Sequence, residues 1–271
     1  MGPQSSMSAP IELPARAVSG LVMGGIAIYL TVAGGIVFAF FVAIGAIAAL
    51  REWHRLVNGG RVAPETIASA SAVTAAVFIA TVQNGSAMAL LIVAVGSMSA
   101  ALWSGSRKRA PFWHGLGPVY VGLAAVALVM LRGAPSGEYL VLGIFVAVWT
   151  ADTGALLSGR LIGGPKLVPR LSPNKTWAGF VFGALAAGIG EAIYSSVLNG
   201  SAVGGLALGV AIALVGHAGD LFESWVKRSF SAKDSGGLIP GHGGVLDRID
   251  SLLFVAPACA FLVVFPALNP L

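Results

Sequence analysis

Residues 202–222 read AVGGLALGVAIALVGHAGDLF, an apolar run whose first acidic residue is Asp220. A helix that crosses the hydrocarbon core of a bilayer needs about 20 apolar residues, and this run has that length. Comparable runs occur along the whole chain, so we predict an all-α fold, a polytopic transmembrane helix bundle of about nine helices. The other predicted bounds are 17–33, 36–50, 64–82, 86–103, 113–131, 139–157, 177–197 and 251–268.

The composition supports a membrane protein. Of the 271 residues, 56% are hydrophobic and 10% are charged, whereas soluble domains carry about 25% charged residues. The single cysteine, Cys259, excludes a disulfide framework and a CxxC metal site. We predict one integral membrane domain over 1–271 with a polar tail over 1–16. A cleaved signal peptide is not expected, because the first ten residues contain no basic segment and many apolar runs follow the first.

The basic residues indicate how the chain is oriented. With a turn at Gly34-Gly35, the odd-numbered connections contain one basic residue, Arg132. Basic residues mark cytoplasmic loops, so the N-terminus and the even-numbered connections are predicted to be cytoplasmic. This also accounts for the net charge of +5 without nucleic acid. The cytoplasmic set is Arg16, Arg51, Arg55, Arg61, Arg107, Lys108, Arg109, Arg160, Lys166, Arg170, Lys175, Lys227, Arg228, Lys233 and Arg248.

Acidic residues gather at one predicted membrane face. If the helix over 202–222 continues, His217, Asp220, Ser224 and Lys227 share one of its faces, with Glu223 beside them. A solvated helix end with weak ion pairs is the alternative, but carboxylates inside membrane segments are generally functional. The acidic residues within 220–250 are Asp220, Glu223, Asp234, Asp247 and Asp250.

The connection over 229–246 is rich in glycine and precedes two further carboxylates. Consecutive backbone N–H groups in such a segment can bind phosphate, although an ordinary flexible loop has the same composition. Asp247 and Asp250 stand three residues apart where the next apolar run begins, so Asp220 and Asp247 can meet across two helix ends. Mg²⁺ typically binds one or two carboxylates together with substrate phosphates.

A second polar segment precedes the run at Trp177. Ser172, Lys175 and Thr176 there suit an anion at a helix N-terminus, or Ser172 or Asn174 simply caps the helix. Asp152 lies inside the run 139–157 and requires a basic or metal partner. Glu191 and His114 show no polar neighbours in sequence and are assigned to packing or interface roles.

The polar residues after 223 form a dense motif. It comprises Ser224-Trp225-Val226-Lys227-Arg228, Lys233-Asp234, Gly236, Ile239-Pro240, His242-Gly243-Gly244-Val245 and Asp247-Arg248-Ile249-Asp250. This motif resembles the signature of the phosphatidate cytidylyltransferases, or CDP-diacylglycerol synthases. A second block, Asp152, Gly159-Arg160, Lys166-Leu167, Pro169, Ser172-Pro173 and Lys175-Thr176, is similar to the same family. Ala178 replaces a glutamate and Leu156 an aromatic residue that are usual there.

The resemblance implies a multi-helix membrane enzyme that joins CTP and phosphatidic acid to give CDP-diacylglycerol and pyrophosphate with a divalent metal, Mg²⁺. It implies Asp220 and Asp247 as metal ligands, and Lys227 and Arg228 as catalytic groups beside them. Cytoplasmic segments 158–176 and 223–250 would form the active site. The expected substrate-binding residues are Asp152, Ser172, Lys175, Thr176, Ser224, Lys233, His242, Gly243, Gly244, Arg248 and Asp250.

Several alternatives stay open at this point. Another lipid phosphate, such as an isoprenoid or archaeal ether lipid, would suit the same apolar helices. An ion-coupled transporter using Asp152 and Asp220 is a candidate from another class. The expected location is the bacterial inner membrane with the active site facing the cytoplasm, and the sequence leaves open whether the protein forms a homodimer.

Overall fold

A computed structural model of the protein describes residues 9–61, 63–83, 85–238 and 243–264, with side chains from Gly20 onward. In these ranges the chain is almost entirely helical, with one short antiparallel hairpin, β1–β2. The elements are α1 (Ala9–Ala33), α2 (Gly35–Val57), α3 (Glu65–Ala80), α4 (Ser86–Ser106), α5 (Pro111–Gly133), α6 (Gly137–Leu161), β1 (Lys166–Val168), β2 (Ser172–Thr176), α7 (Trp177–Val197), α8 (Ala202–Ser229) and α9 (Leu246–Val264).

The predicted helix bundle is confirmed within the described ranges. Nine helices occur there in the expected order, and six of them, α2 and α4–α8, are long and apolar enough to cross a membrane. The turn between α1 and α2 lies at Gly34, whose φ of 64° suits glycine. The chain is therefore a membrane-embedded helix bundle, while the number of crossings and the side of the N-terminus stay predictions.

Helix α5 forms the centre of the bundle. It packs against α2, α3, α4, α6 and α9, and its membrane segment is mostly buried, unlike those of α4, α6, α7 and α8. Large apolar side chains on the outer helices, such as Leu91, Leu102 and Ile193, are exposed instead. This distribution is what a bundle in lipid requires, because its outer surface meets hydrocarbon rather than water.

Small residues let α7 and α8 approach closely. A Cβ added at Gly205 or Gly209 of α8 would collide with the backbone of Glu191 or Ala187 on α7. At Gly188 of α7 an added Cβ would lie 2.9 Å from Val210 Cγ2. Small residues at such a contact are typical of closely packed membrane helices.

Several element bounds differ from those predicted. α1 begins at Ala9, inside the expected polar tail, and α9 begins at Leu246, ahead of the expected 251. Ser172–Thr176 leads directly into α7 at Trp177, as expected, but its residues form strand β2, which the sequence did not indicate. Neither Ser172 nor Asn174 caps α7; the Thr176 hydroxyl accepts from the Gly179 N–H at 3.0 Å.

Contacts between connections show which helix ends lie together. Arg109, after α4, pairs with Glu65 at the start of α3, and Arg228, near the end of α8, bonds to Leu171 in the hairpin turn. At the other end, Arg132 donates to the carbonyl of Thr31 near the end of α1. The even-numbered connections therefore share one end of the bundle, as predicted, and this is called the site end below.

Candidate active site

Two helix ends carry the central acidic and basic groups. Helix α8 continues seven residues beyond its apolar run, so its last turns present Glu223 and Lys227 beside the first turn of α9. The Lys227 ammonium lies 2.6 Å from Glu223 Oε2 and 2.7 Å from Asp247 Oδ1. Glu223 is almost fully buried and Lys227 is 14% exposed. Since a buried ion needs a partner, this triad joins α8 to α9.

Asp247 also organises the glycine-rich segment. Its carboxylate accepts from the backbone N–H of Ser235 at 3.1 Å and from that of Gly244 at 3.0 Å. Gly243 has a φ of 80°, a left-handed conformation that favours glycine. Backbone N–H groups on both sides of 239–242 therefore donate to the same carboxylate.

The hairpin supplies a second basic group to this end. In the antiparallel pairing Lys166 lies opposite Thr176 and Val168 opposite Ser172. Lys175, on β2, forms an ion pair with Asp220 of α8. Thr176 follows it and is buried as the cap of α7, whereas Ser172 is half-buried at the other end of the strand. The hairpin thus brings Lys175 to the end of α8.

Arg228 ties the hairpin to the end of α8. Its Nε donates to the carbonyl of Leu171 at 3.3 Å, and its Nη1 donates to the carbonyl of Ala232 at 3.0 Å. The rest of the guanidinium is exposed, so it retains N–H groups that face outward. Arg228 therefore fixes the hairpin and still offers donors to an anion.

Three helices each contribute one carboxylate to a common electrostatic environment. Asp152 of α6 and Asp250 of α9 both lie within electrostatic range of Asp220 on α8. The positive groups that face Asp152 are Lys175 and Arg248. Asp152, for which the sequence required a basic or metal partner, thus has two basic neighbours, and the three carboxylates together favour a cation.

The remaining predicted residues are distributed around this centre. Ser224 is half-buried on α8, Lys233 is exposed after it, and Arg248 is exposed at the start of α9. Asp250 Oδ1 accepts from the N–H of Ser251 at 2.8 Å. His242 lies outside the described residues, and the groups of three or more acidic, histidine or cysteine side chains that would hold a metal unaided are absent from the described ranges.

One residue at the site was not predicted from sequence. Glu52, near the end of α2, is 2% exposed, and its Oε2 accepts from the Ser235 hydroxyl at 3.2 Å and the Leu246 N–H at 2.8 Å. These partners are 183 and 194 residues away along the chain. No local pattern could have indicated them.

His114, assigned to a packing or interface role, is buried and has polar partners that the sequence did not indicate. Its Nδ1 lies 2.8 Å from Nδ1 of His54, whose Nε2 lies 2.9 Å from the Ser69 hydroxyl. All three side chains are buried at the site end of α2, α3 and α5. Glu191, in contrast, is buried near the opposite end, and its Oε1 has no partner among the described residues.

Comparison with known proteins identifies the family of the chain. The sequence profile described as "Cytidylyltransferase family" matches residues 14–265. A protein from Brucella suis named phosphatidate cytidylyltransferase is 37% identical over 262 residues, which cover 95% of this chain and 94% of that protein. One of the same name from Rickettsia bellii is 33% identical over 181 residues, 64% of this chain and 78% of that protein. A match of this extent shows that the chain belongs to the cytidylyltransferase family.

Proposed function

We propose that this protein transfers the cytidylyl group of CTP to phosphatidic acid, giving CDP-diacylglycerol and pyrophosphate. The observation that carries the proposal is an apolar groove that ends at charged residues of the site. The relatives from Brucella and Rickettsia have names that specify phosphatidate as their substrate, which supports the same choice here.

The groove runs between α1, α2, α5, α6 and α9 and has a volume of about 900 Å³. Side chains such as Leu21, Phe41, Phe145 and Leu252 line most of it, and its charged residues are Asp152 and Arg248. A phospholipid has the same division into apolar tails and a charged phosphate. With the tails in the groove, the phosphate would lie against Arg248.

The reaction needs no protein nucleophile. A phosphate oxygen of phosphatidic acid attacks the α-phosphorus of CTP, a new P–O–P bond forms, and the bond to the β-phosphate breaks to release pyrophosphate. A phosphate monoester is already largely ionised at pH 7, so no base is required to activate it. The main obstacle is repulsion between two polyanions, which positive charge must offset.

A divalent metal, Mg²⁺, fits the donor set at Asp220 and Asp247. Asp220 shares its surroundings with two further carboxylates, a concentration of negative charge that favours a cation, and Mg²⁺ binds oxygen ligands of this kind. Asp247 accepts from the Lys227 ammonium and would supply the second carboxylate ligand. When bound, the metal would polarise phosphoryl oxygens and stabilise the leaving pyrophosphate.

The chain's own donors would hold the phosphates. Arg228 and Arg248 suit bidentate contact, while Lys175 and Lys233 act as point charges. Lys227 is proposed to hold Asp247 in place and to add positive charge beside it. Further groups proposed to line the substrate path are Ser172, Thr176, Ser224, His242, Gly243 and Gly244. Asp152 would act through Lys175 and Arg248, and Asp250 would add to the negative charge around Asp220.

The location follows from where the two substrates are found. The lipid tails stay in the bilayer while CTP arrives from water, so the site end is proposed to face the cytoplasm of a bacterial inner membrane. The excess of basic residues at this end supports that side. Nucleic acid is not an expected partner, and a homodimer remains an option for the assembly.

A substrate panel tests the proposal. The purified protein in lipid nanodiscs would be incubated with radiolabelled CTP and Mg²⁺, with phosphatidic acid, a polyprenyl phosphate or an archaeal ether-lipid phosphate as acceptor. We expect label in CDP-diacylglycerol with phosphatidic acid and little label with the others. Preferential labelling of another lipid would reassign the acceptor, and absence of any labelled lipid would refute cytidylyl transfer.

A further inference from the structure

Glu52 joins the N-terminal half of the chain to the glycine-rich segment. Its Oε2 accepts from the Ser235 hydroxyl on one side of the segment and from the Leu246 N–H on the other. Leu246 is the first residue of α9, so its N–H has no partner within that helix. A carboxylate at a helix N-terminus is also favourable for the helix dipole. Glu52 therefore caps α9 from another helix.

Two glycines of the segment make room for this carboxylate. A Cβ at Gly236 would lie 2.5 Å from Glu52 Oε1, and one at Gly244 would lie 2.6 Å from Glu52 Oε2. Neither glycine has a left-handed φ. Gly236 is thus required to leave space for Glu52, and Gly244 to leave space for both Glu52 and the Ser235 hydroxyl. At Gly243, in contrast, the backbone conformation itself favours glycine.

The frame that carries Glu52 is rigidly packed. The next residue, Trp53, is fully buried, and its Nε1 donates to the carbonyl of Trp113 at 2.8 Å. Gly117 of α5 leaves space for the Trp53 indole, since a Cβ there would lie 2.5 Å from it. Trp113 packs on Trp225 of α8 with ring centroids 5.3 Å apart. Helix α2 is thereby fixed against α5 and α8 directly beside the site.

We propose that Glu52 is a positioning residue for the binding of CTP. It holds Ser235 and Leu246, and the backbone N–H groups of Ser235 and Gly244 meet on Asp247. The two described ends of the segment are thus fixed before the nucleotide arrives, which lowers the ordering cost of binding its phosphates. This inference rests on the proposed function only for the identity of the ligand, CTP. The role of Glu52 in fixing the two ends of the segment does not depend on that function.

The first test is kinetic and uses Glu52→Ala, Glu52→Gln and Glu65→Ala. Removal of the acceptor leaves two buried donors unpaired, so Glu52→Ala should raise KM for CTP roughly ten- to a hundred-fold and leave KM for phosphatidic acid near the parent value. Glu52→Gln keeps an acceptor and should stay close to the parent. Glu65 is equally buried and pairs with Arg109 away from the segment, so Glu65→Ala is the matched control.

A suppression experiment isolates the contact itself. Gly236→Ala should impair CTP use in the parent protein, because the added methyl group meets the Glu52 carboxylate. In the Glu52→Ala background that carboxylate is absent, so adding Gly236→Ala should cause little further loss. The proposal would be overturned if the losses in CTP use caused by Gly236→Ala and Glu52→Ala were fully additive. It would also be overturned if KM for CTP rose equally in Glu52→Gln and Glu52→Ala.

Amide hydrogen exchange separates this inference from the proposed reaction. In protein without substrate, peptides covering 235–238 and 243–250 should exchange faster in Glu52→Ala than in the parent, and Glu65→Ala should match the parent there. Unchanged exchange in Glu52→Ala would refute the positioning role whether or not the protein is active. If the parent makes no CDP-lipid but Glu52→Ala still exchanges faster than the parent, the positioning role stands and only the proposed reaction is refuted.

Discussion

At the scale of single residues, Asp220 and Asp247 occupy different surroundings. Asp220 faces Lys175 of the hairpin and shares its environment with Asp152 and Asp250. Asp247 instead accepts from Lys227 and from two backbone N–H groups. The first carboxylate is thus placed among acids that favour a cation, while the second also organises the segment before α9.

Replacement of either carboxylate by its amide tests their proposed role. We expect Asp220→Asn and Asp247→Asn each to lower kcat at least about a hundred-fold, since charge stabilisation by a metal is worth several kcal/mol. Mn²⁺ binding, measured by electron paramagnetic resonance, should weaken in parallel. Glu191→Gln, a buried acid remote from the site, serves as the control. Near-parent activity in either Asp variant would remove it from the metal site.

Lys227 should contribute to stability as well as to activity. Lys227→Met leaves Glu223 and Asp247 without their shared partner, and breaking a buried ion pair costs about 3–5 kcal/mol. The variant should therefore unfold at a clearly lower temperature in detergent, as measured by intrinsic fluorescence. Lys233→Met alters an exposed lysine of the same connection and should leave Tm unchanged. Equal Tm values for both variants would contradict the structural role.

The sequence reveals some residues of the site and conceals others for a physical reason. Asp220, Asp247 and Lys227 could be predicted because they are polar groups standing at the ends of apolar runs. Glu52 and His54 also stand at the end of an apolar run, but they could not be predicted as site residues. Their partners are groups far along the chain. Only the packing of α2 against α5 and the glycine-rich segment brings those partners together.

At the scale of elements, the helices were predictable and the hairpin was not. Runs of about 20 apolar residues indicate membrane helices directly, and the polar stripe of α8 correctly extended that helix past Phe222. Strand β2 reads Ser-Pro-Asn-Lys-Thr, a polar sequence with a proline and no apolar alternation. Such a strand carries little signal, and its pairing with β1 becomes visible only in the structure.

The close contact of α7 and α8 gives a prediction at this scale. Gly209→Ala would push a methyl group against the Ala187 carbonyl of α7, and overpacking of this kind costs about 1–3 kcal/mol. Its Tm should fall. Gly25→Ala on the exposed side of α1, where no atom lies within 4 Å of the added Cβ, should be neutral. Indistinguishable melting of the two variants would argue against tight α7–α8 packing.

At the scale of the whole molecule, the uneven division of basic residues predicts the membrane orientation. Contacts already place the even-numbered connections at one end. In a Cys259→Ser background, Gln83→Cys should react with a membrane-impermeant maleimide in intact cells, and Lys166→Cys only after permeabilisation. Both positions are exposed. The reverse pattern of labelling would place the site end outside and separate it from cytoplasmic CTP.

We propose that this bundle joins a water-soluble nucleotide to a membrane lipid at the ends of α8 and α9. The most direct measurement is the conversion of CTP and phosphatidic acid by the purified protein in nanodiscs, with Mg²⁺ or with excess chelator. We predict equal amounts of CDP-diacylglycerol and pyrophosphate with Mg²⁺, and neither product with chelator. Failure to form CDP-diacylglycerol with Mg²⁺, or undiminished formation in the presence of chelator, would contradict the account.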